Sequence, residues 1–288
     1  YRTPKLTGKD SVVLADFTNT TGDPIFDGTL RLGLSAQLQQ SPYFRILSGD
    51  SIARTLGLME KPADTPLTHD VARELCQRAG ATVMIEGTIA ALGSQYVLGL
   101  SALNCSTGDA FAQELVTADG KDKVLGALGD AASRLRSKLG ESRASHERYD
   151  VPLAQATTSS LEALKAGSRG YLAFGKYDIP SAIAYFEHAV RLDSSFAVAY
   201  ALLAELQDLT GDSARAFENT RKAYELSGRV TENERYYISQ AYCSRVTGDY
   251  DKALLIARQW ANDYPRDSAI LGTMGRAFSR LGRYEEDR

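Results

Sequence analysis

Side-chain oxygens collect in one short stretch near the start of the chain, at Asp16, Asn19, Asp23 and Asp27. Carboxylate and amide oxygens are the ligands that hard cations such as Ca²⁺ prefer. The same residue types also form turns and cap helices, and we expect a helix to begin near Ile25. This loop is therefore our candidate for a small-ligand or cation site, and a purely structural loop is the alternative.

Motifs that carry known catalytic chemistry are absent from the sequence. The chain has no phosphate-binding GxxxxGK[ST] loop, no HExxH or GxSxG motif, and no HRD or DFG kinase signature. Its three histidines, His69, His146 and His188, are scattered, and no nucleophile–base pair is visible. We therefore expect no enzymatic activity and no cofactor in this chain, and a hydrolase with an unrecognised site is the least favoured alternative.

The three cysteines do not form a CxxC pair, so we expect no structural zinc site. Cys76 falls in a predicted helix, and Cys105 lies near the end of a predicted strand. A disulfide between them and a pair of buried free thiols are both consistent with this placement.

The composition of the 288 residues is that of a globular protein, with 43% hydrophobic and 24% charged residues. A net charge of −3 gives no electrostatic reason to bind nucleic acid. No apolar run has the length of a membrane span, and no signal peptide opens the sequence. Because the chain starts at Tyr1 and stops at Arg288 inside a predicted helix, we expect a piece of a longer protein.

The hydrophobic pattern of residues 1–145 predicts one α+β domain with helices against a mixed sheet. Its last three strands alternate apolar and polar residues and are joined by short turns, which is typical of an antiparallel meander. The predicted order βαβααβββα comprises strands at 12–15, 44–47, 82–91, 95–104 and 109–117, and helices at 25–40, 51–58, 68–80 and 121–139.

Residues 146–159 are polar and include Pro152, and we predict a linker there. From residue 160 to 288 one pattern recurs, in which Gly211, Gly248 and Gly282 are framing glycines. Small residues follow at matching offsets, such as Ala216 and Ala253. The last two glycines are separated by the 34-residue period of a helix hairpin.

This recurrence resembles the tetratricopeptide (TPR) family. The resemblance implies an all-α solenoid of three full repeats and a truncated fourth, in which glycine permits the tight turn and alanine permits close helix packing. In the first repeat we take Gly175 as the framing glycine, although the small residues after it arrive two positions late.

TPR arrays bind partners in a groove along the first helices of successive hairpins, and the resemblance places charged and aromatic residues there. Arginines on rigid helices can bind carboxylates, so we expect a protein or peptide partner, with an acidic peptide or chain terminus as the favoured class. An ordinary solvated face with intramolecular ion pairs is the alternative. The expected groove residues are Arg169, Glu205, Asp208, Arg235, Tyr242, Arg245 and Arg276.

The first domain resembles the TolB N-terminal-like family through Leu14–Asp23, Phe26–Gly28, Ala79–Ala81, Ile85–Ile89 and Thr107–Asp109. A TolB-like domain followed by TPR repeats is similar to the C-terminal half of acidobacterial-type membrane-bound serine/threonine kinases. This resemblance implies an extracytoplasmic sensory or scaffolding region, attached to the membrane only through a segment outside this chain.

Two other contexts stay open for the same region. The parent protein could carry a winged-helix DNA-binding domain in place of the kinase, or the region could belong to a cytoplasmic adaptor. The extracytoplasmic location that the kinase resemblance implies favours a disulfide between Cys76 and Cys105, because that compartment is oxidising.

Overall fold

The computed structural model describes Leu6, residues 10–265, Asp267, Ile270 and Met274. Within these residues the chain has a mixed α/β fold, with a mixed sheet and helices in its first half and helix hairpins after it. The expected groove residue Arg276 and the truncated fourth repeat lie outside the described residues.

The first half contains every strand and helix that the hydrophobic pattern predicts, with bounds shifted by a few residues. The strands are β1 (Ser11–Leu14), β2 (Thr18–Asn19), β3 (Arg45–Ile46), β4 (Val83–Leu92), β5 (Gln95–Asn104) and β6 (Ala110–Ala118). The helices are α1 (Thr29–Gln39), α2 (Gly49–Leu58), α3 (His69–Arg78) and α4 (Val124–Lys138).

The strands form one sheet in the order β3-β1-β4-β5-β6. Strand β1 lies parallel to β3 and β4, whereas β4, β5 and β6 form the antiparallel meander, so the mixed sheet is confirmed. Strand β2 was not predicted. It is two residues long and pairs with Thr88 and Ile89 of β4, a long-range contact that leaves no hydrophobic pattern in the sequence.

Helices cover both faces of this sheet. On one face, α1 and α4 bury their leucines against Ile85 of β4 and Leu98 of β5. On the other face, α2 and α3 pack over Met84 and Leu103. Helices α2 and α3 cover only part of this face, and the rest of it is exposed to solvent at Thr88, Leu92 and Leu115.

Residues 146–159, which we expected to form a linker, are largely helical. They hold the end of α5 (Arg143–Tyr149) and α6 (Leu153–Ala156), and Leu153 is buried between α1 and α4. Polar residues of the segment form hydrogen bonds with the sheet half, since Gln37 of α1 donates to Asp150 at 3.0 Å. The polar residues of this stretch therefore hold it against the domain, and they do not mark a solvated linker.

Three helix hairpins follow, and each pairs two consecutive helices. They are α7 (Leu161–Gly175) with α8 (Ile179–Leu192), α9 (Ala197–Leu209) with α10 (Ser213–Leu226), and α11 (Glu232–Tyr242) with α12 (Tyr250–Asp263). A π-helical turn, Cys243–Thr247, extends α11.

The turns of these hairpins contain one residue in the left-handed region. Gly211 has φ +82° and Gly248 has φ +69°, as expected for glycines that permit a tight turn. In the first hairpin the equivalent residue is Tyr177, at φ +58°, and Gly175 still belongs to α7. Gly175 is therefore the wrong framing residue, and the turn at Tyr177 explains why the small residues arrive two positions late.

The hairpins are tied to the sheet half by their first helix. Ser168 Oγ of α7 donates to the carbonyl oxygen of Gly28 at 3.0 Å, and Lys176 forms an ion pair with Asp64 at 2.6 Å. A Cβ atom at Gly33 of α1 would lie 3.4 Å from Leu164, so α1 and α7 approach closely at this glycine.

Candidate functional site

The first candidate, the loop from Asp16 to Asp27, already has partners for its carboxylates. Asp16 Oδ1 accepts from Arg31 at 2.9 Å, and its Oδ2 accepts from the backbone N–H of Leu67 at 2.8 Å. The Asp16 side chain thus fixes the end of β1 to α1 and to the segment before α3.

The other three residues of the loop bind one another and a lysine. Asn19 Nδ2 donates to Asp27 Oδ1 at 2.8 Å and to the Asp23 carbonyl oxygen at 2.9 Å. Asp23 Oδ2 accepts from Lys121 Nζ at 2.7 Å, and this hydrogen bond is the main reason that the pKa of Asp23 is lowered. Within the described residues no group of three or more His, Cys, Asp or Glu is placed to hold a metal ion. The geometry therefore favours the structural alternative for this loop.

Cys76 and Cys105 are joined by a disulfide in the structure, with their Cα atoms 5.9 Å apart. Both are buried, Cys76 on α3 and Cys105 directly after β5, and Gln77 Nε2 donates to the Cys105 carbonyl oxygen at 2.8 Å. The bond fixes α3 to the turn between β5 and β6. Cys243 is a buried free cysteine, and burial raises its pKa.

Two of the expected groove residues, Tyr242 and Arg245, contact the second hairpin. The ring of Tyr242 stacks on Tyr224 of α10 with centroids 3.9 Å apart. Arg245 Nη1 donates to Thr220 Oγ1 at 2.9 Å, and Nη2 lies 3.3 Å from Asp208 Oδ2. For Asp208 and Arg245 the structure thus shows the intramolecular pairing that we gave as the alternative.

The other two described arginines of the expected cluster, Arg169 and Arg235, are exposed. The Arg169 guanidinium is 6.0 Å from the centre of the Tyr185 ring of α8, and Arg235 Nε donates to the Ser227 carbonyl oxygen at 3.4 Å. Each arginine thus interacts with a second helix or a turn. The three described arginines of the expected cluster therefore each have a different intramolecular partner.

Residues that the sequence reasoning missed surround Glu205. The Tyr237 hydroxyl of α11 donates to Glu205 Oε2 of α9. Burial is the main cause of the raised pKa of Tyr171, and the negative charges of Glu234 and Glu205 raise it further. We call Tyr171, Glu205, Glu234 and Tyr237 the groove cluster, and its members come from the first helices of all three hairpins.

Tyr171 is the most exposed member of the groove cluster, with 39% of its area accessible, and its ring meets Phe186 of α8 edge to face with centroids 5.5 Å apart. Burial also raises the pKa of Tyr237 well above its usual value, with Glu205 as the next cause.

Glu234 has two roles in this arrangement. Its Oε2 accepts from the backbone N–H of Thr231 at 3.1 Å, and Thr231 Oγ1 accepts from the Glu234 N–H, which completes a capping box for α11. Burial raises the pKa of Glu234 to about 7, against the opposing hydrogen bonds from Thr231. The carboxylate that caps α11 thus also acts electrostatically on Tyr171 of α7.

A concavity lies on the open part of the sheet. This sheet groove has a volume of about 380 Å³ and is lined by Thr88, Gly99, Leu100, Ser101, Gln113, Glu114 and Leu115. It forms where Gly99 has no side chain, since a Cβ atom there would lie 2.7 Å from Thr88 Oγ1.

No helix in the described residues is both long and apolar enough to cross a membrane.

Comparisons with known proteins assign no family to this chain. No family model matches it, and no curated protein gives a significant match. The C-terminal domain of LpoB from Salmonella enterica aligns with a TM-score of 0.36 and 13% identity over 39% of this chain and 84% of that one. The corresponding domain from Escherichia coli gives 0.35 and 15%, over 38% and 82%.

The MamA protein aligns with a TM-score of 0.32 and 19% identity over 55% of this chain and 76% of that one. At TM-scores this low, neither similarity establishes a shared fold or a shared function.

Proposed function

We propose that this chain is a non-enzymatic interaction module, in which a TPR-type array binds an extended segment of a protein partner along α7, α9 and α11. The regular succession of three hairpins supports this proposal, because such arrays present the same helix face in every repeat. The observation that carries it is the hydrogen bond from the Tyr237 hydroxyl of α11 to Glu205 of α9, which joins the first helices of neighbouring hairpins beside the exposed Tyr171 of α7.

The chemistry of the surface suits binding. Tyrosine combines a large apolar ring with a hydroxyl group and is enriched where proteins bind one another. Rigid helices also hold such side chains in place before the partner arrives, which lowers the entropy cost of binding.

We further propose that the sheet half is a TolB-like domain and that the chain forms the extracytoplasmic sensory part of a membrane-bound serine/threonine kinase. The Cys76–Cys105 disulfide supports an oxidising compartment. In this proposal the membrane is reached through a segment outside this chain. A kinase domain and one apolar span encoded before Tyr1 are the expected result, and a gene without a span there would contradict this context.

An array of immobilised peptides of varied sequence tests the interaction itself, with the chain and two variants as probes. Tyr171→Ala removes the exposed ring of the groove cluster and should weaken binding to the peptides that the unchanged chain binds. Tyr177→Ala is the control, because Tyr177 is 82% exposed in a turn. Equal binding by both variants would contradict the groove assignment, and thermal unfolding shows whether each variant is folded.

A further inference from the structure

Strand β6 forms one edge of the described sheet, next to β5. The opposite edge is β3, which is two residues long, whereas β6 has nine residues. Edge strands present N–H and C=O groups to other chains, and natural proteins block them with short strands, charges or bulges. Strand β6 is therefore the edge of this sheet at which a further strand can add.

The bonding of β5 determines which backbone groups of β6 point outward. Directly after β5, Cys105 donates its N–H to the carbonyl oxygen of Thr82 at 3.1 Å. Because bonded residues alternate along antiparallel strands, the odd-numbered residues of β5 bond to β4 and the even-numbered ones bond to β6. Leu100 is thus bonded to Glu114. The outer side of β6 then carries the backbone groups of Gln113, Leu115 and Thr117.

One contact supports this orientation and covers one end of the edge. Lys138 Nζ of α4 donates to the Gln113 carbonyl oxygen at 2.7 Å, so this carbonyl group points away from β5. In the described part of the chain, no hydrogen bond reaches the outer backbone groups of Leu115 and Thr117. Both side chains are exposed, Leu115 at 71%.

This part of the edge is complementary to itself. When two β6 strands pair antiparallel about Leu115, this leucine lies opposite its equivalent and Gln113 lies opposite Thr117. None of these side chains is charged, so no like charges face each other across the strands. Lys138 is paired with Glu114 at 2.7 Å. The offset of the strands puts the lysines of the two copies about 14 Å apart, which is more than a Debye length at physiological salt.

We propose that this edge is an interface between two copies of the chain, in which the β6 strands pair antiparallel about Leu115 and join the two sheets. Leu115 then exchanges N–H···O=C bonds with its equivalent, and Gln113 does so with Thr117 of the second copy. The Gln113 carbonyl oxygen keeps its bond from Lys138, because it has a second lone pair. The inference is independent of the partner that binds along the hairpins.

Sedimentation velocity at rising protein concentration tests this interface. The unchanged chain should shift from its monomer mass of 31.3 kDa toward twice that mass as the concentration approaches about 100 μM. Leu115→Lys and Leu115→Glu should each weaken self-association about tenfold or more, because each sets like charges opposite one another. An equal mixture of the two variants should restore the dimer, since the facing charges are then opposite in sign.

Leu92→Lys is the matched control for the added charge. Leu92 is 67% exposed on the same face, at the end of β4 and two strands from the edge, so this variant should associate like the unchanged chain.

Thr117→Pro tests the backbone pairing separately. Proline removes an N–H group that makes no bond within the sheet, so the monomer should fold, which thermal unfolding checks, while the dimer should be lost. Three results would overturn the inference: a monomer at every concentration, a dimer that either Leu115→Lys or Thr117→Pro leaves intact, or a mixture of the charged variants that stays monomeric.

Discussion

The hydroxyl of Tyr264 donates a hydrogen bond to the carbonyl oxygen of Gln40 at 2.9 Å, across 224 residues of sequence. It joins the end of α12 to the end of α1. Beside it, the rings of Tyr149 and Tyr264 meet edge to face with centroids 5.9 Å apart. Because α7 is bound to Gly28 through Ser168, the first and the third of the described hairpins both contact the sheet half.

Tyr264→Phe should destabilise the protein, because the buried carbonyl oxygen of Gln40 would lose its hydrogen bond from the tyrosine. We expect a loss of about 1–2 kcal/mol in the free energy of unfolding, measured by urea denaturation. Tyr177→Phe is the control and should have no effect, since Tyr177 is exposed. Equal stability of both variants would show that the contact contributes nothing.

The ion pair between Arg136 and Glu141 should be the most costly polar contact to break. Arg136 binds both carboxylate oxygens, at 2.6 Å and 3.0 Å, and neither side chain is exposed. Glu141→Gln removes the carboxylate that pairs with the buried Arg136 guanidinium, and we expect a loss of about 3–5 kcal/mol in the free energy of unfolding. Glu218→Gln serves as the exposed control, and a loss no larger than that of the control would contradict this expectation.

The same pair predicts a pH dependence. Burial alone would raise the pKa of Glu141, but hydrogen bonds and charge from Arg136 lower it below its usual value. The stabilisation is therefore fully present above the ordinary glutamate pKa of about 4.3 and is lost as the pH falls through the lower, folded-state pKa. Between neutral pH and this acid range, the free energy of unfolding from urea denaturation should fall more steeply for the unchanged chain than for Glu141→Gln. The same dependence on pH in both proteins would contradict the stabilising role of this ion pair.

Reduction of the Cys76–Cys105 disulfide should require unfolding, because both residues are buried. In mass spectrometry, the native protein should resist alkylation at these residues after mild reductant, and only the unfolded protein should react. Replacing Cys76 and Cys105 by alanine should lower the free energy of unfolding by about 2–4 kcal/mol. Cys243→Ala is the comparison, because it leaves the disulfide in place. Two free thiols in protein purified without reductant would contradict the pairing and support the free-thiol alternative.

The loop from Asp16 to Asp27 should not respond to divalent cations. Asp16 and Asp23 already bind Arg31 and Lys121, and a cation would have to displace these partners. We expect the unfolding temperature to be unchanged by Ca²⁺ or Mg²⁺. A rise in that temperature that disappears in Asp16→Ala would contradict this and restore the loop as a ligand site.

Local patterns predicted most of the elements but not the contacts between them. The leucines of α1 and the alternation in β4 to β6 follow from sequence periodicity, since one face of each is buried. The segment around Leu153 and Asp150 reads as polar and irregular because its bonding partners are residues of α1 and α4, far away in the sequence. Tyr177 was missed since left-handed backbone at a non-glycine residue has no reliable sequence signal.

The site was harder to predict than the fold for a related reason. The repeat pattern selected Glu205 but neither Tyr171 nor Tyr237, because which side chains of neighbouring helices meet depends on how the helices rotate and cross. Tyr242 and Arg245 turn toward α10, while Tyr237 donates its hydrogen bond to Glu205. The only available signal was the presence of Tyr171 and Tyr237 on the first helices of two hairpins.

Hydrogen–deuterium exchange with a peptide that the chain binds on the peptide array tests most directly whether the hairpins are the binding surface. We predict slower amide exchange in residues 161–175, 197–209 and 232–242 when the peptide is bound, and unchanged exchange in residues 83–118, which include the sheet groove. Protection confined to the sheet, or no protection anywhere at a saturating peptide concentration, would contradict the account.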